Sequence, residues 1–277
     1  SEESYALDSL LLGIPPGIPS SDAIAVVIGV ENYKEAPKVE FALEDAEAVR
    51  QYLLEAFGYR DGNIIFLQDP SKAEFEKVFG TFGSHEGKLY NWVKAGKSDV
   101  FVYYAGHGAP SVKDKKGYLV PADASPDYVH VNGYPLELLY ANLAKVPARS
   151  ITVVLDACFS GAATDAEGNL KMLLREASPF VVSPVEEEVP DKAVVLTAAT
   201  GSQIASWYPD KGHSLFTYYF LKGLKGEADA NNDGVIRLGE LGGYLSENVT
   251  YTARRLYGRE QTPEVKGKPS TVLVKVK

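Results

Sequence analysis

Residues 99–108 read DVFVYYAGHG and residues 150–161 read SITVVLDACFSG. Each is a continuous apolar run, rich in β-branched and aromatic residues, that ends in small residues around one reactive side chain. A run without polar alternation marks a strand buried on both faces, as in a parallel sheet. Ligands of such sheets gather beyond the carboxyl ends of the strands. His107 follows the first run and Cys158 the second. Consecutive strands are often spatial neighbours, so both side chains are expected to project into one crevice.

The same pattern continues in both directions. Residues 23–30 (AIAVVIGV), 63–68 (NIIFLQ) and 193–198 (AVVLTA) read as further strands, and 271–276 (TVLVKV) as the sixth, closing the chain. Between the first two, Val39, Ala42, Leu43, Ala46, Val49, Leu53 and Ala56 recur at helical spacing, which predicts a helix over 39–57. Ser71 can cap the helix after the second strand. Short apolar runs separated by helical stretches mean right-handed crossovers. The fold class expected is therefore α/β, a mainly parallel six-stranded sheet with helices on both faces. Residues 117–121 and the region near 129–131 read as a small hairpin inserted after the third strand. Residues 1–20 hold Pro15, Pro16 and Pro19 and read as an arm or linker. Residues 162–192 hold Pro179, Pro184, Pro190 and the run Glu186-Glu187-Glu188. A loop of that length inside a compact domain is usually functional or mobile.

Composition narrows the partners. The chain of 277 residues carries a net charge of −9, whereas binding a phosphate backbone needs a basic face, so nucleic acid is excluded as the main partner. No apolar run approaches the ~18 residues of a membrane span, and no secretory leader is visible, although a removed one leaves no trace. The single cysteine precludes an internal disulfide and leaves the compartment open, cytoplasmic or secreted and periplasmic alike. Monomer and dimer are not distinguishable from the sequence.

A lone cysteine is more often a small buried hydrophobe than a catalyst, and a histidine between glycines more often a turn residue. At the ends of two adjacent strands the pair reads differently. A thiol beside an imidazole supplies a nucleophile and a proton donor for a leaving amine. Gly106 and Gly108 let the backbone turn sharply, and the amides of Gly108 and Cys158 are candidate donors to an oxyanion.

Residues 103–108 (YYAGHG) and 156–161 (DACFSG) resemble the histidine and cysteine motifs of the caspase, metacaspase and legumain group of cysteine peptidases, the latter in its metacaspase form. His107 precedes Cys158 by 51 positions (158 − 107), close to the interval of about 50 known for caspases. The resemblance covers roughly residues 23–275. It implies a caspase-like three-layer sandwich, closest to bacterial metacaspase-like or orthocaspase-like proteins. The peptidase domain would span 21–277: a large part over 21–161, a linker loop over 162–192 and a small part over 193–277.

The pocket departs from that of caspases proper, which cut after aspartate using arginines. Asp156 stands where caspases carry glutamine, and Lys38-Val39 lies near where the caspase arginine would fall. Asp45 matches an aspartate that metacaspases place in this pocket. Two carboxylates facing one pocket favour a cation between them, and a guanidinium pairs with carboxylates in bidentate fashion. Cleavage after Arg or Lys is therefore expected, with basic protein or peptide segments as substrates. The bland alternative is that Asp45 and Asp156 cap or solvate their elements. Ser206-Trp207-Tyr208 resembles the Ser-Trp-Arg strand that pairs with a caspase substrate's backbone, with Tyr208 in place of the arginine. Lys171 and Arg175, in the linker loop, are candidate self-cleavage points.

Residues 229–240 (DANNDGVIRLGE) fit the EF-hand calcium loop. Asp229, Asn231, Asp233 and Glu240 offer side-chain oxygens, Val235 a carbonyl, and Gly234 the turn. Arg237 at the ninth position weakens the match, and a lone loop suggests structural or extracellular-type affinity. Calcium, and no organic cofactor, is thus expected. Three other readings stay open: an Asp-directed protease, a calcium-binding pseudo-protease scaffold, and an Asx-rich turn without metal. No phosphate-binding glycine motif follows the first strand, which disfavours a nucleotide-binding α/β protein.

Overall fold

The computed structural model describes residues 10–164, 170–174, 182–185 and 187–276. In chain order, β1 (Ile24–Gly29), α1 (Ala42–Glu55), β2 (Ile64–Gln68), α2 (Lys72–Phe79), α3 (Lys88–Trp92) and β3 (Asp99–Ala105) build the first half of the sheet. An insertion follows: β4 (Gly108–Pro110), β5 (Gly117–Leu119), α4 (Val129–Asn132) and β6 (Tyr134–Pro135). Next come α5 (Leu136–Lys145), β7 (Ser150–Asp156), the hairpin β8 (Ala162–Thr164) and β9 (Leu170–Met172), and β10 (Ala193–Thr197). A second hairpin, β11 (Trp207–Tyr208) and β12 (His213–Ser214), precedes α6 (Leu215–Lys222). Then β13 (Val235–Arg237), α7 (Leu238–Tyr257), β14 (Glu264–Lys266) and β15 (Val272–Lys275) complete the chain.

The central sheet has the order β2-β1-β3-β7-β10-β14, parallel throughout except for β14. Its strands bury both faces because their apolar residues do not alternate with polar ones. Ala25, Val27, Phe101, Tyr103, Val154 and Leu196 pack on one side against α1, α6 and α7. Their neighbours Val26, Ile28, Val102, Tyr104, Val153 and Val195 face α2, α3 and α5 on the other. Each such Val or Ile contributes roughly 1.5–3 kcal/mol by leaving water. The arrangement is the three-layer α/β/α sandwich expected.

Gly29 brings α1 against the end of β1. A Cβ there would lie 2.6 Å from the Ala42 carbonyl oxygen and 3.0 Å from the Ala46 Cβ. This close approach carries the first turn of α1, and with it Asp45, to the carboxyl end of the sheet. Ser71 caps α2 as expected, within a capping box: its hydroxyl accepts from the Glu74 N–H, and the Glu74 carboxylate accepts from the Ser71 N–H at 2.8 Å.

Four expectations are corrected. The sixth strand of the sheet is β14, not 271–276; β15 pairs instead with β13 in a separate antiparallel ribbon. The reason is visible in burial: Val274 and Val276 are 6% and 8% exposed while Lys275 between them is exposed, so that segment alternates like a one-faced strand. The insertion after β3 is a three-stranded antiparallel sheet, and 129–132 is helical. Within the linker loop, 162–172 forms the β8–β9 hairpin at its described residues, and Val182 packs into the core. Residues 10–20 of the expected arm lie along α1: Leu10 and Ile14 are buried, and the Tyr52 hydroxyl donates to the Leu10 carbonyl at 2.8 Å.

Candidate active site

Because β3 and β7 are adjacent and parallel, in register from Asp99↔Ser150 to Ala105↔Asp156, His107 and Cys158 emerge side by side. The two loops touch closely. A Cβ on Gly108 would strike the Phe159 ring at 2.6 Å and the Cys158 carbonyl at 2.8 Å, so only glycine fits there.

His107 is buried and held from two directions. Its backbone N–H donates to the Tyr33 hydroxyl at 2.8 Å, and the Tyr33 ring lies against the imidazole with centroids 4.7 Å apart. Its Nε2 lies 2.7 Å from the Pro37 carbonyl oxygen, which can only accept, so Nε2 carries the proton and Nδ1 is left as the basic nitrogen. Burial lowers its pKa to about 4, against the opposing pull of the Pro37 carbonyl. The imidazole is therefore neutral, and competent as a base, at pH 7.

The Cys158 thiol is buried and donates to the Ala162 carbonyl at 3.4 Å. Burial pushes its pKa up, while the backbone amides of Ala205 and of Cys158 itself act the other way. The resting pair is thus a neutral thiol and a neutral imidazole. Among the described residues no hydrogen bond joins the two side chains, which is common for catalytic pairs before substrate tightens the site.

Both side chains line one cleft of about 450 Å³, and Asp45, Asp156, Ser206 and Trp207 line it with them. Six of the residues singled out in the sequence are thus brought together; Gly108 stands behind His107 and does not line the cleft. Glu40 adds a third carboxylate, and among the described residues no lysine or arginine lines the cleft. Lys38, outside the lining, pairs with Glu31 at 3.1 Å and with Glu40 at 3.2 Å, so the Glu40 charge is already matched. Arg259 is committed nearby, donating to the Ser206 hydroxyl at 3.1 Å and 3.0 Å and stacking on the Tyr257 ring.

Asp156 accepts from the Thr217 hydroxyl at 2.6 Å and from the Ser214 hydroxyl. Its burial, reinforced by the Asp45 charge, lifts its pKa to about 7. Asp45 is raised as well, by burial, although His213 and Ser214 bond to it. Trp207 walls the cleft edge-on to Phe41, ring centroids 6.2 Å apart. Phe41 holds a left-handed conformation (φ 65°) as α1 begins, a strained setting for a bulky residue. The Ser206 backbone is used internally: its N–H donates to Gln261 at 2.8 Å and its carbonyl accepts from Leu215 at 2.9 Å.

The sequence reading missed Tyr33, Pro37, Glu40, His213 and Ser214. Pro37 acts only through its carbonyl, which carries no sequence signal. Glu40 could have been found, since it precedes by five positions an aspartate already assigned to the pocket.

The remaining candidates lie elsewhere. Lys171 is exposed on β9, opposite Ala163, which lines the cleft. Arg175 lies outside the described residues. In the loop over 229–240, the Asp229 and Asn231 carboxylate and amide oxygens accept from the backbone N–H of Asp233 at 3.2 Å and 2.9 Å. One nitrogen of Arg237 lies 2.8 Å from the Asp233 carboxylate, 3.3 Å from the Val235 carbonyl and 3.5 Å from the Glu240 carboxylate. A guanidinium thus sits among the donors intended for a cation. Among the described residues no three His, Cys, Asp or Glu side chains converge to hold a metal ion. A calcium ion held by these oxygens would have to displace the Arg237 guanidinium. Among the described residues no helix is long and apolar enough to cross a membrane.

Comparison with known proteins agrees with the fold. The caspase-domain family model matches residues 22–273. Metacaspase-1 of Eremothecium gossypii is 24% identical over 159 residues, 51% of this chain and 32% of that protein. Metacaspase-9 of Arabidopsis thaliana is 24% identical over 148 residues, 52% of this chain and 45% of that protein. The matches thus span less than half the length of either relative. The crystal structure of caspase-1 from Spodoptera frugiperda superposes with a TM-score of 0.60 at 12% identity, covering 92% of this chain and 90% of that one. With the family match spanning nearly all of the chain, it belongs to the caspase-domain family of cysteine peptidases.

Proposed function

We propose that the chain is an endopeptidase that cuts after arginine or lysine, with Cys158 as nucleophile and His107 as general base. The observation that carries the specificity is the cleft beside the dyad, lined among the described residues by Asp45 and Asp156 and by no lysine or arginine, while Glu40, also in the lining, is already paired with Lys38. In water-poor surroundings a carboxylate and a guanidinium attract strongly. An aspartate side chain would instead meet like charge, at roughly 4 kcal/mol per pair at 4 Å and an effective dielectric of ~20.

The chemistry follows from the tautomer. As the substrate carbonyl approaches, the Cys158 proton passes to His107 Nδ1 and the sulfur attacks the carbonyl carbon. The oxyanion forms against the backbone amide of Cys158, which lines the cleft. The imidazolium then returns the proton to the leaving amine, which departs as the thioester forms. Water attacks the thioester, losing its proton to Nδ1; that proton goes back to the departing sulfur, and the acid product leaves. The Pro37 carbonyl steadies the imidazolium while it exists.

The test is hydrolysis of peptides alike except for the residue before the cut: Arg, Lys, citrulline or Asp. Arg and Lys peptides are expected to be hydrolysed and the other two poorly; preference for Asp would overturn the specificity while leaving the chemistry intact.

Calcium enters as a weak ligand that must displace Arg237. Titration calorimetry of the whole chain is expected to show affinity no tighter than the 10⁻⁴–10⁻³ M of extracellular calcium modules. Arg237→Ser, which removes the competing charge, is expected to tighten it about tenfold or more. Submicromolar binding by the unaltered chain would contradict this reading.

A further inference from the structure

The two pocket aspartates are held differently. Asp156 takes its side-chain hydrogen bonds on Oδ2, from Ser214 and Thr217; its Oδ1 accepts none from a described side chain. Asp45 is clasped at both oxygens by one short strand. His213 Nδ1 lies 2.6 Å from Oδ1, and the Ser214 N–H donates to Oδ2 at 3.1 Å. The His213 and Asp45 side chains are only 4% and 2% exposed, so water does not compete for this bond.

That strand also fixes the wall of the cleft. In the β11–β12 hairpin, His213 pairs with Tyr208 and Ser214 with Trp207. The turn between the strands closes through Gly212, at φ 68°. Ser214 is at the same time the cap of α6, its hydroxyl accepting from the Thr217 N–H at 3.0 Å. The two residues of β12 therefore tie Asp45 of α1, Asp156 of β7 and the Trp207 wall to one another. The His213–Asp45 bond spans 168 positions and joins the two parts of the chain on either side of the linker loop.

We propose that His213 is a specificity-determining positioning residue: by holding Asp45 Oδ1 it keeps the Asp45 charge behind Asp156 and locks the Trp207 wall to it. A guanidinium or ammonium entering the cleft then bonds Asp156 Oδ1 directly and meets Asp45 through its field. This rests on the reading that the enzyme cuts after basic residues. Without His213, Asp45 keeps a buried oxygen with no donor, and a carboxylate in that state either takes up a proton or turns into the cleft. Either outcome spoils recognition of a cation. The dyad is spared, because the His107 and Cys158 hydrogen bonds run to Pro37 and Ala162 instead.

The experiment measures kcat and KM on matched peptides with arginine or its uncharged isostere citrulline before the cut. His213→Ala is expected to raise KM for the arginine peptide about 10- to 100-fold, as loss of a hydrogen bond to a charged group does. Its kcat should change far less, and the citrulline peptide should lose much less than the arginine peptide. His213→Asn, whose amide nitrogen can stand near the Nδ1 position, is expected to restore most of the preference. If alanine does not fold, His213→Leu, similar in bulk but without a donor, is read in the same way. An alanine or leucine variant that keeps the parent's arginine-to-citrulline ratio overturns the proposal, as does equal loss on both peptides with no rescue by asparagine. A parent enzyme that does not distinguish the peptides overturns the basic-residue reading itself, and His213's role with it.

Discussion

Cys158→Ala is expected to abolish turnover, with kcat falling at least about 10⁴-fold on every peptide that the parent cleaves. His107→Ala is expected to lose roughly 10²–10⁴-fold, the usual span for a positioned proton-transfer group. The two losses should not add, since the thiol is useless without a base and the base without a thiol. A small apolar replacement at this buried position is expected to cost the fold about 1 kcal/mol, so circular dichroism should be preserved. The same variant checks self-processing. If the exposed Lys171 of the β8–β9 hairpin is cut by the enzyme itself, intact mass spectrometry will show the parent splitting there and the alanine variant whole. A fragment ending at Lys171 in both would assign the cut to another protease. Residual turnover above 1% in Cys158→Ala would remove Cys158 from the mechanism.

Asp156→Asn is expected to cut kcat/KM for arginine peptides by roughly 10²–10³-fold, because truncating one partner of a buried charge pair costs about 2–5 kcal/mol. Citrulline peptides should change little. The pH profile carries a sharper signature. In the free enzyme Asp156 titrates near 7, far above its ordinary value of 3.8, since burial and the Asp45 charge both disfavour ionisation. A cationic substrate needs the ionised form, so kcat/KM for arginine peptides should climb as pH rises through about 7. His107, lowered to about 4, is already neutral there and does not produce that limb. The Asn variant should lack the limb. Stability runs the other way. A folded-state pKa above the unfolded value favours the fold at low pH, and this advantage is lost as pH rises from about 4 to about 7. Asp156→Asn should therefore melt no lower than the parent at pH 8. A lower Tm together with an unchanged limb would assign Asp156 a structural role.

The parts of this molecule that were legible beforehand are those encoded locally. β1, β3, β7 and β10 announce themselves because strands buried on two faces need unbroken apolar runs, and the dyad because each reactive residue ends such a run. β14 could not be seen. Its three residues hold one apolar side chain, and its place at the sheet edge depends on Glu264 accepting from Ser183 and Thr200, far away in sequence. β15 was misassigned because TVLVKV was read as apolar throughout, when the exposed Lys275 between buried Val274 and Val276 marks a one-sided strand. The support of the site is long-range in the same sense. His213 meets Asp45 only because the hairpin from Trp207 to Ser214 folds back over the cleft, and no local pattern at His213 says so. Arg237 is the opposite case. It ends β13, four residues after Asp233 and three before Glu240, and the tight loop folds it onto both carboxylates, a contact that the calcium motif masks.

The central claim, a cysteine peptidase whose cleft reads positive charge, is tested most directly by comparing kcat/KM for an arginine peptide and its citrulline counterpart, with Cys158→Ala as blank. The two side chains match in shape and differ in charge. A ratio of about 10² or more, vanishing in the blank, is predicted from the charge-pair cost. A ratio near one with Cys158-dependent cleavage of both would contradict the claim.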